Sequence, residues 1–455
     1  MTLARSKRFN AVLLKKGIRS VAIPTKLIYG DSQYDQPKIE LYPESIHYSK
    51  VAYSLGSSKL IGEDAFNNEG EPCLIIEAED MVLGENSSNG FPGENFVKTK
   101  PLKITVKKKL EHANADKDAL IFRFHITRNS FLNRGIFHSF DERGLVKVEP
   151  EEKLIFQVHN LNLEFDFYYT TSVVGGKITQ EIIHFVEIKT NQVESLEEKG
   201  EELCRLIDDV LLIASYATNK HTVCYMWEVI SSDWHITRHR GDRVMPAPGD
   251  RGTIISERRN YNDLPAFISK AYNKLKEPSF DHSLKLAFNH LVIPSHNSIE
   301  MKYLQAFTCM ESLILSHSRS NKSEFIISNS SKWKRLRNKI KENIKEHYSE
   351  VHEGDKVEEL DELCQKINSL NRTSLRANYN DFICSYEINT QGLVPLSSNE
   401  VESLSRLRNK LVHGEPYDEN TIDKIIYFQR HLEALIDRSI DAIISRSSLQ
   451  YAIIE

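Results

Sequence analysis

Residues 161–211 read LNLEFDFYYTTSVVGGKITQEIIHFVEIKTNQVESLEEKGEELCRLIDDVL, and the apolar period changes within them. Leu161, Leu163, Phe165, Phe167 and Tyr169 alternate with their neighbours, Gly175-Gly176 offers a turn at positive φ, and Ile182, His184, Val186 and Ile188 alternate on the return. A period of two around a Gly-Gly turn predicts an antiparallel hairpin. From Asn191 onward the apolar positions are Val193, Leu196, Leu203, Leu206, Ile207, Val210 and Leu211, set among Glu194, Glu197, Glu198, Glu201 and Glu202. That spacing predicts a long helix with an acidic face.

Working outward from this switch, the chain before it is β-rich. Short apolar runs rich in β-branched and aromatic residues alternate with Gly, Asn, Pro and Asp clusters such as Asn86 to Gly93. Lys98, Lys100, Lys103, Lys107, Lys108 and Lys109 could contact RNA, but lysines on an edge strand also block aggregation, and the second role is the expected one. Beyond Leu264 apolar residues recur at helical spacing in 267–275, 284–292, 303–315, 333–348, 357–370, 401–412 and 422–444. Pro278, Pro294, Pro395 and Pro416 fall between these runs, where loops are needed. The expected fold class is α+β and multidomain: a β-rich sensing or regulatory domain at 1–190, a helical connector with an Arg-rich loop at 191–275, and an all-α bundle at 276–455. The length of 455 residues, about three times the ~150 of one domain, agrees with that division.

Composition narrows the function classes. The 59 Lys plus Arg nearly balance 64 Asp plus Glu, for a formal net charge of −5, so any surface for nucleic acid must be local. Cys73, Cys204, Cys224, Cys309, Cys364 and Cys384 are scattered without a CxxC pair, which predicts reduced thiols in a cytoplasmic setting and argues against a zinc ribbon. The longest strongly apolar run, Val210 to Ala217, falls far short of the ~20 residues of a bilayer span, so no membrane partner is expected. Arg5, Lys7, Arg8, Lys15, Lys16, Arg19 and Lys26 without an acid resemble a transit peptide in composition. The broken apolar runs and Pro24 favour strand and turn instead.

Two basic segments are local enough to matter. Trp227 to Asn260 reads as an irregular stretch carrying Arg238, Arg240, Arg243, Arg251, Arg258 and Arg259. These arginines would either grip phosphates as bidentate forks or pair with the acidic helix before them. His235 and His239 stand four apart, but no third ligand is evident, and no metal is expected. Lys332, Lys334, Arg335, Arg337, Lys339, Lys341 and Lys345 surround an apolar stripe of Trp333, Leu336, Ile340, Ile344 and Tyr348, opposed only by Glu342 and Glu346. They would either pair with the acidic run at 350–362 or contact RNA phosphates, and Lys334, Arg335, Arg337 and Lys341, with Arg238, Arg240 and Arg243, are the candidate RNA-binding residues.

The segment Leu404-Ser405-Arg406-Leu407-Arg408-Asn409-Lys410-Leu411-Val412-His413-Gly414-Glu415 carries the chemistry. Leu404, Leu407, Leu411 and Val412 are the expected core stripe, which leaves Arg408, Asn409 and His413 on the polar side. On an ideal helix Arg408 and His413 are ~140° apart, so a helix end at Gly414 and a second copy across a two-fold axis are needed to bring such groups together. Arg, Asn and His without a metal suit RNA transesterification, in which the 2′-hydroxyl attacks the adjacent phosphorus and the 5′-oxygen leaves. Histidine moves the proton near neutral pH, arginine holds the phosphate and its developing charge, and asparagine orients a phosphate oxygen or the imidazole. A His at a helix C-terminus is also a common structural cap.

The string Arg-Leu-Arg-Asn-Lys-Leu-Val-His-Gly at 406–414, between an all-helical segment and the long helix at 422–444, resembles the signature of the HEPN superfamily (higher eukaryotes and prokaryotes nucleotide-binding). More narrowly it resembles the Apea-like branch, whose earlier helix matches Tyr303 to Leu313 here, with a Glu-x-Leu at Glu311. The resemblance covers roughly 280–446 and implies an all-α bundle, a homodimer formed through the motif helices, and a metal-independent endoribonuclease that needs no cofactor and leaves 2′,3′-cyclic phosphate ends. Carried over by position, Arg408, Asn409 and His413 are catalytic, with Glu311 supporting Arg408. It further implies bacterial anti-phage defence, with a phage-derived or nucleotide trigger acting at the N-terminal domain. The competing expectation is a HEPN bundle that dimerises or binds nucleotide as a sensor or scaffold without cutting RNA.

Overall fold

The N-terminal alternation closes strands into a ring. β1 (Ser6–Lys15) buries Phe9, Ala11 and Leu13 and leaves Arg8 and Asn10 outside, so it has one apolar face. It pairs on one side with β3 (Ile23–Ile28) and on the other with β5 (Lys59–Phe66), while the two-residue β2 (Ile18–Arg19) adds to its end. β3 continues to β4 (Lys38–Leu41), β5 to β6 (Pro72–Ser87), and β7 (Phe96–Lys109) joins β4 and β6. These pairings return to their starting strand and make a closed antiparallel barrel, which removes free sheet edges from the ring. Phe9, Leu27, Ile39, Leu41, Leu60, Ile76, Val97 and Ile104 belong to its apolar cluster.

The computed structural model describes residues 6–15, 18–19, 22–28, 37–43, 59–66, 72–87, 96–110, 120–129, 132, 138–141, 144–147, 154–158, 160–174, 177–191, 193–241, 264–293, 297–351, 357–367, 370–398, 401–414 and 419–446. They divide into two units, 1–269 and 270–455.

In the first unit β7 leaves the barrel and becomes a member of an open antiparallel sheet. Its order is β11 (Leu154–Val158), β12 (Leu161–Val174), β13 (Lys177–Thr190), β8 (Leu120–Ile126), β14 (Cys224–Ile230), β15 (Trp234–Arg240) and β7. A separate small hairpin pairs β9 (His138–Asp141) with β10 (Gly144–Lys147). The predicted hairpin is present as β12 and β13, with Leu163 opposite Ile188, Phe165 opposite Val186 and Tyr169 opposite Ile182. Its Gly175-Gly176 turn lies outside the described residues. The lysine strip needs correction, because β7 is not an edge strand: β15 and β4 flank one side of it and β6 the other.

The helix expected after Asn191 is α1 (Leu196–Thr218). The Ser195 hydroxyl accepts from the Glu198 N–H at 3.3 Å, and Asn219 closes the other end at φ 51° in the left-handed region. Leu203, Ile207, Val210 and Leu211 turn to β14 and β8, where Phe122, Phe124 and Trp227 are buried. Each of these rings contributes roughly 2–3 kcal/mol on leaving water. The expected connector at 191–275 does not stand apart, since α1, β14 and β15 complete the first unit's own sheet. The irregular reading of Trp227 to Asn260 is corrected over its first part, where β14 and β15 form a hairpin; 242–263, with Arg243, lies outside the described residues.

The second unit is helical. Beyond α2 (Leu264–Leu275), which crosses the unit boundary, it contains α3 (Asp281–Val292), α4 (Ile299–Ser320), α5 (Ser330–Val351), α6 (Val357–Ile367), α7 (Leu375–Tyr386), α8 (Leu404–Val412) and α9 (Glu419–Arg446). α4 is the hub, touching α3, α7, α8 and α9. It buries Tyr303, Phe307, Met310, Leu313 and Ile314, and α9 meets it with Phe428, Leu432, Leu435 and Ile436. α7 was not expected: LRANYNDFICSY buries only Asn378 and Phe382, too few positions to show a period, and the Ser374 cap on the Ala377 N–H starts it. His317 of α4 lies 3.1 Å from Asp381 of α7, beside the rings of Phe382 and Tyr386.

Candidate functional site

The motif segment folds as the short helix α8, and its neighbours fix where it lies. The buried Tyr303 hydroxyl donates to the Leu404 carbonyl at 2.7 Å, and the Leu404 and Ser405 N–H groups donate to the carbonyls of Pro395 and Leu396 at 3.0 and 2.8 Å. The first turn is thus satisfied by α4 and by the preceding loop. Leu404 and Leu407 are buried as predicted. Val412 is not part of the core stripe: it is 51% exposed, because the helix stops one residue later and nothing covers that turn among the described residues. Leu411 is half-buried.

The Arg408 guanidinium donates to Asn409 Oδ1 at 3.2 Å and lies 5.9 Å from the Phe307 ring centre of α4, close enough for a cation–π contact. Asn409 and His413 are exposed and four residues apart, so they share a face. His413 is the C-cap, its N–H donating to the Asn409 carbonyl at 2.9 Å, and Gly414 takes φ 65°, a conformation that costs glycine nothing. Among the described residues no hydrogen bond joins the His413 ring to Arg408. Glu311 sits one turn beyond Phe307 on α4, half-buried, and makes no ion pair with Arg408. The motif therefore presents an arginine held by its own asparagine and an imidazole open to solvent.

The tentative RNA-binding arginines of the first unit have protein partners. Arg240 forks onto Asp208 of α1, with its two terminal nitrogens 2.9 and 2.8 Å from the carboxylate oxygens, and also donates to the Cys224 carbonyl at 3.3 Å. Burial opposes its charge, and Asp208 reverses that and raises its pKa. Arg238 lies 3.0 Å from Glu201 of α1 and 3.7 Å from Glu79 of β6. Lys107 joins Glu77 at 3.3 Å and Glu197 at 2.5 Å. Pairing with the acidic helix, one of the two roles expected of these arginines, is what Arg238 and Arg240 do. On α5 the situation is reversed. Lys334 and Arg335 are exposed, Arg337 and Lys341 half-buried, and none of the four has a carboxylate partner among the described residues.

A polar cluster that sequence reading missed lies on the open sheet, on the face away from Trp227. Glu228 Oε1 receives Arg123 at 3.2 Å and lies 3.1 Å from His125 Nε2, while its Oε2 lies 2.8 Å from His235 Nε2. Arg123 also donates to Glu187 through two nitrogens at 3.0 and 2.6 Å. Burial disfavours the Glu228 charge, but the hydrogen bonds from His125 and His235 outweigh it and hold the carboxyl far below the usual range. Cross-strand register alone brings these residues together: Arg123 faces both Glu187 and Glu228 across its two neighbouring strands. Neither motif nor spacing in the sequence signals that. Among the described residues no three His, Cys, Asp or Glu side chains are placed to hold a metal ion, and His235 is taken up by Glu228. No described helix is long and apolar enough to cross a membrane. Comparison with family models, curated proteins and solved structures returns no match.

Proposed function

We propose that the protein is a metal-independent endoribonuclease of the HEPN type, working as a homodimer, with its second unit as the catalytic bundle and the β-rich unit carrying the trigger. The observation that carries this reading is α8 itself. A short helix anchored on α4 carries Arg408, Asn409 and His413 in its second half, Arg408 bonded to Asn409, and it ends at His413, whose imidazole is exposed. In this reading Arg408 binds the scissile phosphate and its growing charge, Asn409 fixes the guanidinium and a phosphate oxygen, and His413 shuttles the proton. Glu311 lies one turn beyond Phe307 on the supporting helix, and in this reading it supports Arg408 without a direct ion pair.

One copy leaves its Arg408 and His413 apart, which is the reason for the dimer. Exposed apolar side chains at both ends of α8 and on α9 support it: Val401 is 54% exposed, Val412 51% and Tyr427 54%. Exposed apolar side chains on these two helices are what a self-association face would cover.

Complementation tests the arrangement. Arg408→Ala and His413→Ala proteins are each expected to be inactive on RNA in EDTA while the wild type cleaves. Mixed and allowed to exchange subunits, they regain part of the wild-type rate, because half of the composite sites in a mixed dimer are intact. A mixture that stays inactive beside an active wild type places both groups of one site in a single chain and rules the shared site out.

A further inference from the structure

The segment between α4 and α7 is an arm with its own base. The Ile326 N–H donates to the Asn371 carbonyl at 2.8 Å, the Thr373 N–H to the Glu324 carbonyl at 3.0 Å, and Phe325 bridges Arg372 antiparallel to it. Asn371, 4% exposed, closes this neck with its side chain, accepting from the Ile327 N–H at 2.7 Å and donating to the Ile327 carbonyl at 3.0 Å. The Thr373 hydroxyl adds a bond to the Ser323 carbonyl at 2.8 Å. α5 and α6 both lie in the segment that this short clamp closes.

Within the arm α5 packs chiefly against α6. Trp333, Ile340 and Ile344 are half-buried on one stripe of α5, and Cys364 and Ile367 are buried on α6. On an ideal helix that stripe leaves two cationic flanks, Lys334, Arg337, Lys341 and Lys345 on one side and Lys332, Arg335 and Lys339 on the other. Along the first flank the charges rise by ~4.5–6 Å from one to the next. Six of these seven, Lys345 excepted, have no ion pair among the described residues. Arg337 Nε is buried without a hydrogen-bond partner. The side chains of the acidic run after α5, from Glu350 to Asp361, lie outside the described residues. In a chain of net charge −5, a helix with seven Lys and Arg against Glu342, Glu346 and Glu350 is a local excess of positive charge.

We propose that the α5–α6 arm is an RNA-recruiting element distinct from the motif helix, taking the phosphate backbone of a substrate strand along its cationic flanks without reading base sequence. It deepens the ribonuclease reading and rests on it for the identity of the polyanion. Charge decides the class of occupant: cations repeated at regular rise, six of them without an ion pair among the described residues, match a chain of phosphates, and backbone contacts of this kind carry affinity but not sequence. The neck lets the arm act as a fixed lever rather than a loose tail.

The test uses the full chain carrying His413→Ala, so that RNA survives, and a fluorescein-labelled single-stranded RNA of about 30 nucleotides in EDTA. Adding Lys334→Glu, Arg335→Glu and Lys341→Glu is expected to weaken binding by about 10- to 100-fold near 0.1 M salt and to lower the slope of log K against log salt by about 2, the share of three phosphate contacts. The neutral triple, with Gln at the same three positions, gives a smaller change of the same sign and guards against misfolding caused by three new acids. Unchanged affinity and slope in both triples overturn the proposal. So does loss of binding to phosphatidylserine vesicles with RNA binding intact, which would make the arm a lipid contact. Arm-dependent binding by a protein whose wild type never cuts RNA upholds the arm and sinks the nuclease reading. Cleavage by the wild type with arm-independent binding does the reverse.

Discussion

Glu228 and His184 are buried ionisable groups on the same sheet with opposite needs. Glu228 keeps its charge because Arg123, His125 and His235 converge on it. His184, 1% exposed, cannot keep one: burial pushes its pKa down to about 4, aided by the charges of Arg128 and Lys220. Burial does the same to His239, also down to about 4, with His125 adding to the effect. The unfolded chain takes up these protons near pH 6.5, before the folded one does, so the histidine contribution to stability is complete above ~6.5 and falls as pH drops toward ~4. The Glu228 contribution lies lower: present above ~4.3, it is lost only as pH falls further. His184→Gln is therefore expected to remove about 3 kcal/mol of the loss between pH ~6.5 and ~4, read from urea midpoints across that range. An unaltered pH profile would show that His184 is protonated in the fold. None of this was legible beforehand. His184 appears in the sequence only as an alternating position of a strand, and Glu228 lay in a stretch read as irregular.

Elements were more legible than residues where the period was long. The β12–β13 hairpin and α1 come directly from a period of two followed by one of 3.6. The β14–β15 hairpin did not, because Trp234-His-Ile-Thr-Arg-His-Arg240 buries only Ile236 and fills most of the strand with groups whose partners are distant in sequence. Arg238 and Arg240 look like free cations until Glu201 and Asp208 are brought over them. α1 itself contains a position where local propensity and packing disagree. Alanine favours a helix over glycine by ~1 kcal/mol, yet a Cβ on Gly200 would lie 2.6–2.9 Å from ring atoms of Trp227, which is fully buried. Packing should win. Gly200→Ala is expected to destabilise the first unit by about 1–3 kcal/mol in denaturant unfolding, and a gain in stability would mean that α1 stands further from β14 than described. In α8 the buried Leu404 and Leu407 were read correctly, and Val412 was not, since periodicity says which residues share a face but not where that face loses its cover.

At the scale of the whole molecule, a β-rich region followed by a helical region was visible in the apolar spacing and the turn residues. The closure of the barrel was not, because it depends on one long strand: β7 pairs with β4 through Val97–Thr99 and with β15 through Lys103–Lys109, and no local signal marks where it changes partners. The boundary near residue 190 was displaced for the same reason, as α1 and the hairpin after it return to a sheet built from earlier strands. The functional account rests on the second unit, where an exposed motif helix and a cationic arm project from the hub α4 and its neck. Its central claim is that RNA is cut by arginine and histidine without a metal. The direct test is incubation of labelled RNA with purified wild type and His413→Ala in EDTA, followed by analysis of the product ends. The account predicts fragments with 2′,3′-cyclic phosphate ends from the wild type and none from His413→Ala. Cleavage that survives in His413→Ala, or that EDTA abolishes, would contradict it.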